Sequence, residues 1–391
     1  MKSDKSRSYQ PRIPQLDGMR GFAFLLVFIA HLQLPPGFSD AHPWLERVKE
    51  LGWIGVPLFF VLSGYLITEL ALREGEDFSL LRFYARRMLR LWPLYFTAAI
   101  LAIAMWHLPR LRETGVATSP DWAVSLFTFT LNFAARARWA ALGSLGFLIV
   151  FWTLAVEEQF YALWAPVLRW CPPRATLFAA LTIVVISLIV RFAAKFTGPF
   201  LIYRMQTLIN FGPIMIGCAL ALVGVGRFRF GPLASNAFLT ALLLAACPIA
   251  YSEWPFPTDT VRSGMLLTVV DFYCLLLLFL ALCGTGVLRR FFEWRPMRSL
   301  GDLSYAGYVI HFGLFLFYYR TVKLLLPALA IVSPVASVAL DAAIVFGFTL
   351  LFARGWYALE VPFRYARARL RLKSPRTPRL ESAYDTNLRG H

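Results

Sequence analysis

The stretch Gly18–Leu32 reads GMRGFAFLLVFIAHL, and it decides the fold class. Apart from Arg20 and His31 it has no polar side chain, so no face of it suits water. A run of this kind belongs in a buried core or a membrane. Arg20 and His31 are separated by a helical advance of about 16 Å and three turns plus about 20°. Their side chains therefore share one face, the arginine at a membrane rim and the imidazole well inside. Asp17 lies roughly on that face too. A cation at a rim can hold a phosphate-bearing cofactor, and an imidazole at depth can handle a proton. A purely structural helix needs neither.

Similar runs recur to about residue 360. The chain of 391 residues is 58% hydrophobic and only 16% charged, with mean hydropathy +0.60, which excludes an ordinary soluble domain. The predicted fold is an all-α polytopic integral membrane protein. About ten transmembrane helices are expected, near 19–37, 51–70, 88–107, 145–168, 176–194, 206–225, 235–251, 263–285, 303–320 and 335–357. Region 121–133 reads as re-entrant or interfacial, and 324–332 is too short to cross alone. Residues 1–15 form a polar tail with no apolar core or cleavage site of a signal peptide. Residues 16–370 form the membrane domain, and 371–391 a basic, flexible tail.

With both termini in the cytoplasm, the inner segments carry about twice as many Lys and Arg as the outer ones. The net charge of +17 is thus largely topological. It is divided among membrane loops rather than gathered in a nucleic-acid-binding module, so no nucleic-acid partner is expected. The expected location is a bacterial plasma (inner) membrane, crossed many times. The five cysteines form no CxxC pair and read as small apolar filler. No HxxH or HExxH spacing is present, so no metal site is expected.

Three stretches put polar groups where lipid is expected. His31 and His311 fall inside the first and ninth spans, where ionisable groups are costly and face a bundle interior or a water path. FWTLAVEEQFYALW, residues 151–164, places Glu157 and Glu158 about 100° apart in the fourth span. One of them can orient or deprotonate a histidine while the other pairs elsewhere. LRFYARRMLRLWPLYF, residues 81–96, sets Arg86, Arg87 and Arg90 at the inner rim. Pro93 is expected in the first turn or two of that span. These arginines suit lipid headgroups and nucleotide phosphates equally. In the second span Gly52, Gly55 and Gly64 read as helix-packing positions and Ser63 as an interhelical bond. Asp271 and Asp341 are further acids inside spans, with no partner legible. Glu360 and Arg364 read as a structural clamp.

Together these segments resemble the bacterial membrane-bound acyltransferase 3 family, which includes sugar and polysaccharide O-acetyltransferases and macrolide O-acyltransferases. The resemblance rests on LDGMRGFAFLLVFIAH, FFVLSGYLI, FYARRMLRLWPLY, FWTLAVEEQFYALW, SYAGYVIH and LEVPFR, in order over residues 13 to 370. It covers the arginine–ten residues–histidine signature at Arg20 and His31. Two departures are small: Thr153 where a serine is usual, and Val309–Ile310 where an aromatic residue commonly precedes His311. The resemblance implies acyl transfer from cytoplasmic acyl-coenzyme A, most commonly acetyl, to a hydroxyl. The acceptor would be a glycan, a lipid-linked sugar or a small metabolite such as a macrolide.

His31 would be the general base, aided by Glu157 or Glu158. Arg20, Arg86, Arg87 and Arg90 would hold the coenzyme phosphates. Asp17, Ser63, Tyr65, Trp152, Tyr161 and His311 would shape the site within the bundle. No permanently bound cofactor is expected; acyl-coenzyme A is a co-substrate. The expected partners are the acceptor and membrane lipid; since some relatives carry a fused outer esterase-like domain, the chain would either act alone or hand over to a separate outer-face transfer protein. Direct transfer and an acyl-enzyme route both remain open. A proton-coupled transporter is the competing class, because intramembrane histidine and carboxylates also build proton paths. No clear internal repeat supports it.

Overall fold

The computed structural model describes residues 13–35, 38–113, 122–133, 146–193, 207–225, 228–251, 260–323 and 334–372. The predicted segment 324–332 and the tail beyond residue 372 lie outside these. The principal helices are α1 (Pro14–Ala30), α2 (Pro43–Leu51), α3 (Gly55–Glu74), α4 (Leu80–Met105), α5 (Trp152–Trp170), α6 (Pro173–Ala193) and α7 (Thr207–Val223). They continue with α8 (Pro232–Tyr251), α9 (Thr260–Cys283), α10 (Val287–Glu293), α11 (Arg295–Phe317), α12 (Pro334–Leu359) and α13 (Val361–Leu372). The protein is all-α, and each of the ten predicted spans coincides with a helix.

Among the described residues, 7 helices are long and apolar enough to cross a membrane: those within 43–77, 80–105, 146–170, 173–193, 264–283, 295–322 and 334–359. Thr207–Val223 and Pro232–Ala246 are shorter apolar helices, and α1 has 17 residues. Of region 121–133, the described residues 122–133 include the short helix Ala123–Phe127 and helical residues 131–133.

Close backbone contact at glycine fixes the helix pairs. A Cβ on Gly301 of α11 would lie 1.9 Å from the Asp17 carbonyl of α1, and one on Gly21 would lie 2.2 Å from that of Met297. The α3–α7 pair repeats the device: Gly64 would strike Ile214 O at 1.9 Å and Gly217 would strike Val61 O at 2.1 Å. Lipid offers helices no hydrophobic drive to associate, so close packing of small residues provides it.

Pro93 is not at the start of its helix, as the apolar pattern predicts. The helix begins at Leu80, capped by Ser79, whose hydroxyl accepts from the Arg82 amide. The charged turns before the apolar run are helical too, so Pro93 lies inside α4 and cannot donate to Leu89 O. That carbonyl accepts instead from Arg367 of α13. The same solution recurs twice. Pro166 in α5 releases Ala162 O, which accepts from Tyr84 at 3.1 Å. Pro213 in α7 releases Ile209 O, which accepts from Arg191 and Ser187, each at 2.9 Å. Backbone freed within a bilayer must find a partner, and here side chains of neighbouring helices supply it.

The two acids without a legible partner are now placed. Asp271 pairs with Arg191 at 2.6 Å, both 3% exposed. Asp341 accepts from Tyr318, Tyr319 and Lys323, where α11 ends in a π-helical turn, Tyr318–Val322.

Candidate active site

The glycine contacts between α1 and α11 bring together residues 280 positions apart. His311 Nε2 lies 3.2 Å from His31 Nδ1. His31 is the C-cap of α1 and half-buried, whereas His311 is wholly buried beside Phe24 and Phe28. Nδ1 of His31 also lies 2.8 Å from Val27 O, the carbonyl one turn back.

Towards the Arg20 end of α1, a cavity of about 480 Å³ opens between α1, α3, α4, α5, α11 and α13. Its size is ordinary for a small-molecule site. Asp17, Arg20, Ser63, Arg86, Arg87, Arg90, Glu157 and Tyr161 all line it. Arg73, Glu360, Arg364 and Arg367 join them.

The arginines divide into two sets. Arg73 pairs with Glu69 at 2.7 Å, Arg86 with Glu74 at 2.9 Å and Arg367 with Glu360 at 2.7 Å. Arg20, Arg87, Arg90 and Arg364 have no carboxylate within 4 Å among the described residues. Arg87 stands over the Tyr161 ring at 4.9 Å, and Arg364 over Tyr357 at 3.8 Å. Four guanidinium groups without carboxylates on one wall favour an anionic occupant. The clamp read from Glu360 and Arg364 forms instead between Glu360 and Arg367, while Arg364 donates to Tyr357 O.

Among the described residues, neither Glu157 nor Glu158 makes the predicted hydrogen bond to His31. Glu157 accepts from Ser63 at 2.7 Å and from Tyr161 at 3.0 Å, so both its oxygens serve hydroxyls on the cavity wall. Glu158, about 100° round the helix, does not line the cavity and buries Oε1 without a hydrogen-bond partner. The ring beside His31 is His311. Neither histidine lines the cavity; its deep end is closed by Thr153 and Tyr308, whose hydroxyl oxygens are 2.6 Å apart. The Tyr308 and His311 rings are 5.6 Å apart, so one side-chain layer separates cavity and histidine pair. Trp152 packs edge-on to Phe60, and Tyr65 is buried between helices; both stand outside the wall.

Sequence reasoning missed a polar clamp. Gln159 donates to Phe129 O and Asn132 Oδ1, and accepts from Thr207, which in turn accepts from Asn132. It ties segment 122–133 to α5 and α7. Its three residues are far apart in sequence, so no local pattern announces it.

Comparison with known proteins agrees with the geometry. The family model described as "Acyltransferase domain" matches residues 13–354. The chain is 32% identical over 347 residues to YrhL of Bacillus subtilis (strain 168), covering 83% of this chain and 50% of that one. It is 28% identical over 352 residues to the peptidoglycan O-acetyltransferase OatA of Listeria monocytogenes, covering 84% and 52%. With the O-acetyltransferase OatA of Staphylococcus aureus the identity is 26% over 341 residues, covering 80% and 52%. The chain thus spans about half the length of these relatives. No solved structure matches. A multi-pass plasma-membrane helical bundle, its ordered motifs and a match over most of its length make this chain a member of the acyltransferase 3 family.

Proposed function

We propose that the protein transfers an acyl group, acetyl in the first instance, from cytoplasmic acyl-coenzyme A to the hydroxyl of an exported glycan or lipid-linked sugar. The observation that carries this reading is the wall of unpaired Arg20, Arg87, Arg90 and Arg364 on a cavity that leads towards the histidine pair. Coenzyme A has a diphosphate and a 3′-phosphate at one end and its thioester at the other. The phosphates dock on those four arginines, while Arg86 is occupied by Glu74. The pantetheine arm follows the cavity to Thr153 and Tyr308. In this reading both termini are cytoplasmic, so the mouth faces inside and His31 lies nearer the outer side.

His31 then removes the acceptor hydroxyl proton as the oxygen attacks the thioester carbonyl. The carbonyl–sulfur bond breaks, and coenzyme A leaves as the thiol. For the reacting groups to meet, the Tyr308–Thr153 layer has to open. The peptidoglycan activity named for the Listeria relative makes cell-wall glycan the first acceptor to try.

A two-step route is favoured by one contact. Ser63, on the cavity wall, donates to a carboxylate at 2.7 Å. In this route Glu157 takes the Ser63 proton as Oγ attacks the thioester, the carbonyl–sulfur bond breaks, coenzyme A leaves as the thiol with that proton, and the acceptor hydroxyl later displaces Ser63 from the acyl ester. Protein in lipid, given radiolabelled acetyl-coenzyme A without acceptor, separates the routes. Label retained on Ser63 supports two steps, and none retained supports direct transfer. Acceptor-dependent release of coenzyme A tests the reading as a whole, and gradient-driven solute flux without turnover would replace it with a carrier.

A further inference from the structure

We propose that His311 is a positioning residue for His31: it accepts the Nδ1 proton of His31 and so keeps the lone pair on Nε2, where the acceptor hydroxyl is deprotonated. This rests on the reading of His31 as general base.

The proton positions follow from fixed carbonyls. His311 Nδ1 lies 2.7 Å from Tyr308 O and 3.3 Å from Gly307 O. A carbonyl only accepts, so this nitrogen holds the hydrogen, and a neutral imidazole then presents a lone pair at Nε2. That lone pair faces His31 Nδ1 at 3.2 Å. His31 Nδ1 also faces Val27 O at 2.8 Å, so it too holds a hydrogen, shared between carbonyl and ring. The assignments agree, and together they put the basic nitrogen of His31 at Nε2.

The arrangement serves the charged state as well. Once Nε2 takes a proton, the Nδ1–H···Nε2 bond to His311 becomes charge-assisted and shorter. His311 thus fills the place where a carboxylate was expected. It does so without a permanent negative charge at a position 0% exposed and walled by Phe24 and Phe28. The His311 hydrogen ends on a backbone carbonyl, so the pair orients the base and does not relay its proton onward.

The test compares wild type, His31→Ala, His311→Phe and His311→Gln in lipid nanodiscs. Phenylalanine keeps the ring shape but accepts nothing, whereas the glutamine amide oxygen can reach the place of Nε2. Three quantities are read: kcat, donor KM, and the ¹⁵N spectrum of histidine-labelled protein, with His31 assigned by its loss in His31→Ala. The expected result is a kcat about a hundredfold lower in His311→Phe at unchanged donor KM. His311→Gln should recover at least about tenfold of that. In wild type the His31 Nδ1 should be protonated and Nε2 bare, with the two tautomers mixed in His311→Phe. Equal impairment of both variants with an unchanged His31 spectrum would overturn the proposal, and so would a fully active His311→Phe. If wild type released no coenzyme A under any condition, the acyl-transfer reading would fall, while the spectrum would still decide whether His311 sets the His31 tautomer.

Discussion

Arg86 is tied to Glu74 at 2.9 Å, with both side chains largely buried, whereas the next residue, Arg87, faces the same cavity with the Phe83 and Tyr161 rings against its guanidinium. Adjacent arginines in one motif therefore have different chemistry open to them. Arg86 is neutralised within the protein; Arg87 can answer an external anion.

Arg87→Ala and Arg90→Ala should each raise donor KM by about tenfold or more, the loss of one charge-assisted contact. Arg86→Ala should instead lower the melting temperature, because it leaves Glu74 partly buried and unpaired, and should move donor KM little. Steady-state kinetics alongside thermal unfolding in detergent separates the two outcomes.

Arg364 belongs to the same unpaired set, although it comes from α13 rather than α4. Arg364→Ala should weaken acetyl-coenzyme A more than acetyl-dephospho-coenzyme A if it meets the terminal phosphate. Equal weakening would place its contact at the diphosphate. The ratio of the two kcat/KM values reads this directly.

Arg191 and Asp271 form the most enclosed ion pair, and Arg191 also fills the carbonyl released by Pro213. Arg191→Leu should destabilise the bundle by about 3–5 kcal/mol, since it leaves a carboxylate buried alone. Arg191→Leu with Asp271→Leu should recover most of the loss, because Ser187 still donates to Ile209 O. A double variant no more stable than Arg191→Leu would show that the carbonyl, not the charge, dominates.

Gly301→Ala adds a carbon where the Asp17 carbonyl already stands. The α1–α11 pair must separate, at a cost of about 1–3 kcal/mol, and the two histidines move with it. Transfer should fall even where protein remains folded, which size-exclusion and activity measured on the same preparation will show.

The apolar helices were legible because apolar length is a local property. The start of α4 was not: hydropathy cannot see the charged turns from Leu80 to Arg90, so Pro93 was set too near the helix end. Partners across helices were equally hidden. Nothing local distinguishes Arg86 from Arg87, because the difference is Glu74, beyond a turn. Nothing local says that the imidazole at 311, rather than a carboxylate at 157, meets His31; helix packing at Gly21 and Gly301 decides that. Arg367 shows the same dependence, since one of its two acceptors, Leu89 O, is open only because Pro93 is internal to a helix.

The most direct test of the account is acceptor-dependent coenzyme A release by purified protein in lipid, with acetyl-coenzyme A and a panel of cell-wall and lipid-linked glycans. Wild type is run beside His31→Ala, with coenzyme A binding measured on both. The account predicts release by wild type, loss of at least about a hundredfold in His31→Ala, and equal binding by the two. Undiminished transfer by a folded His31→Ala protein would contradict it.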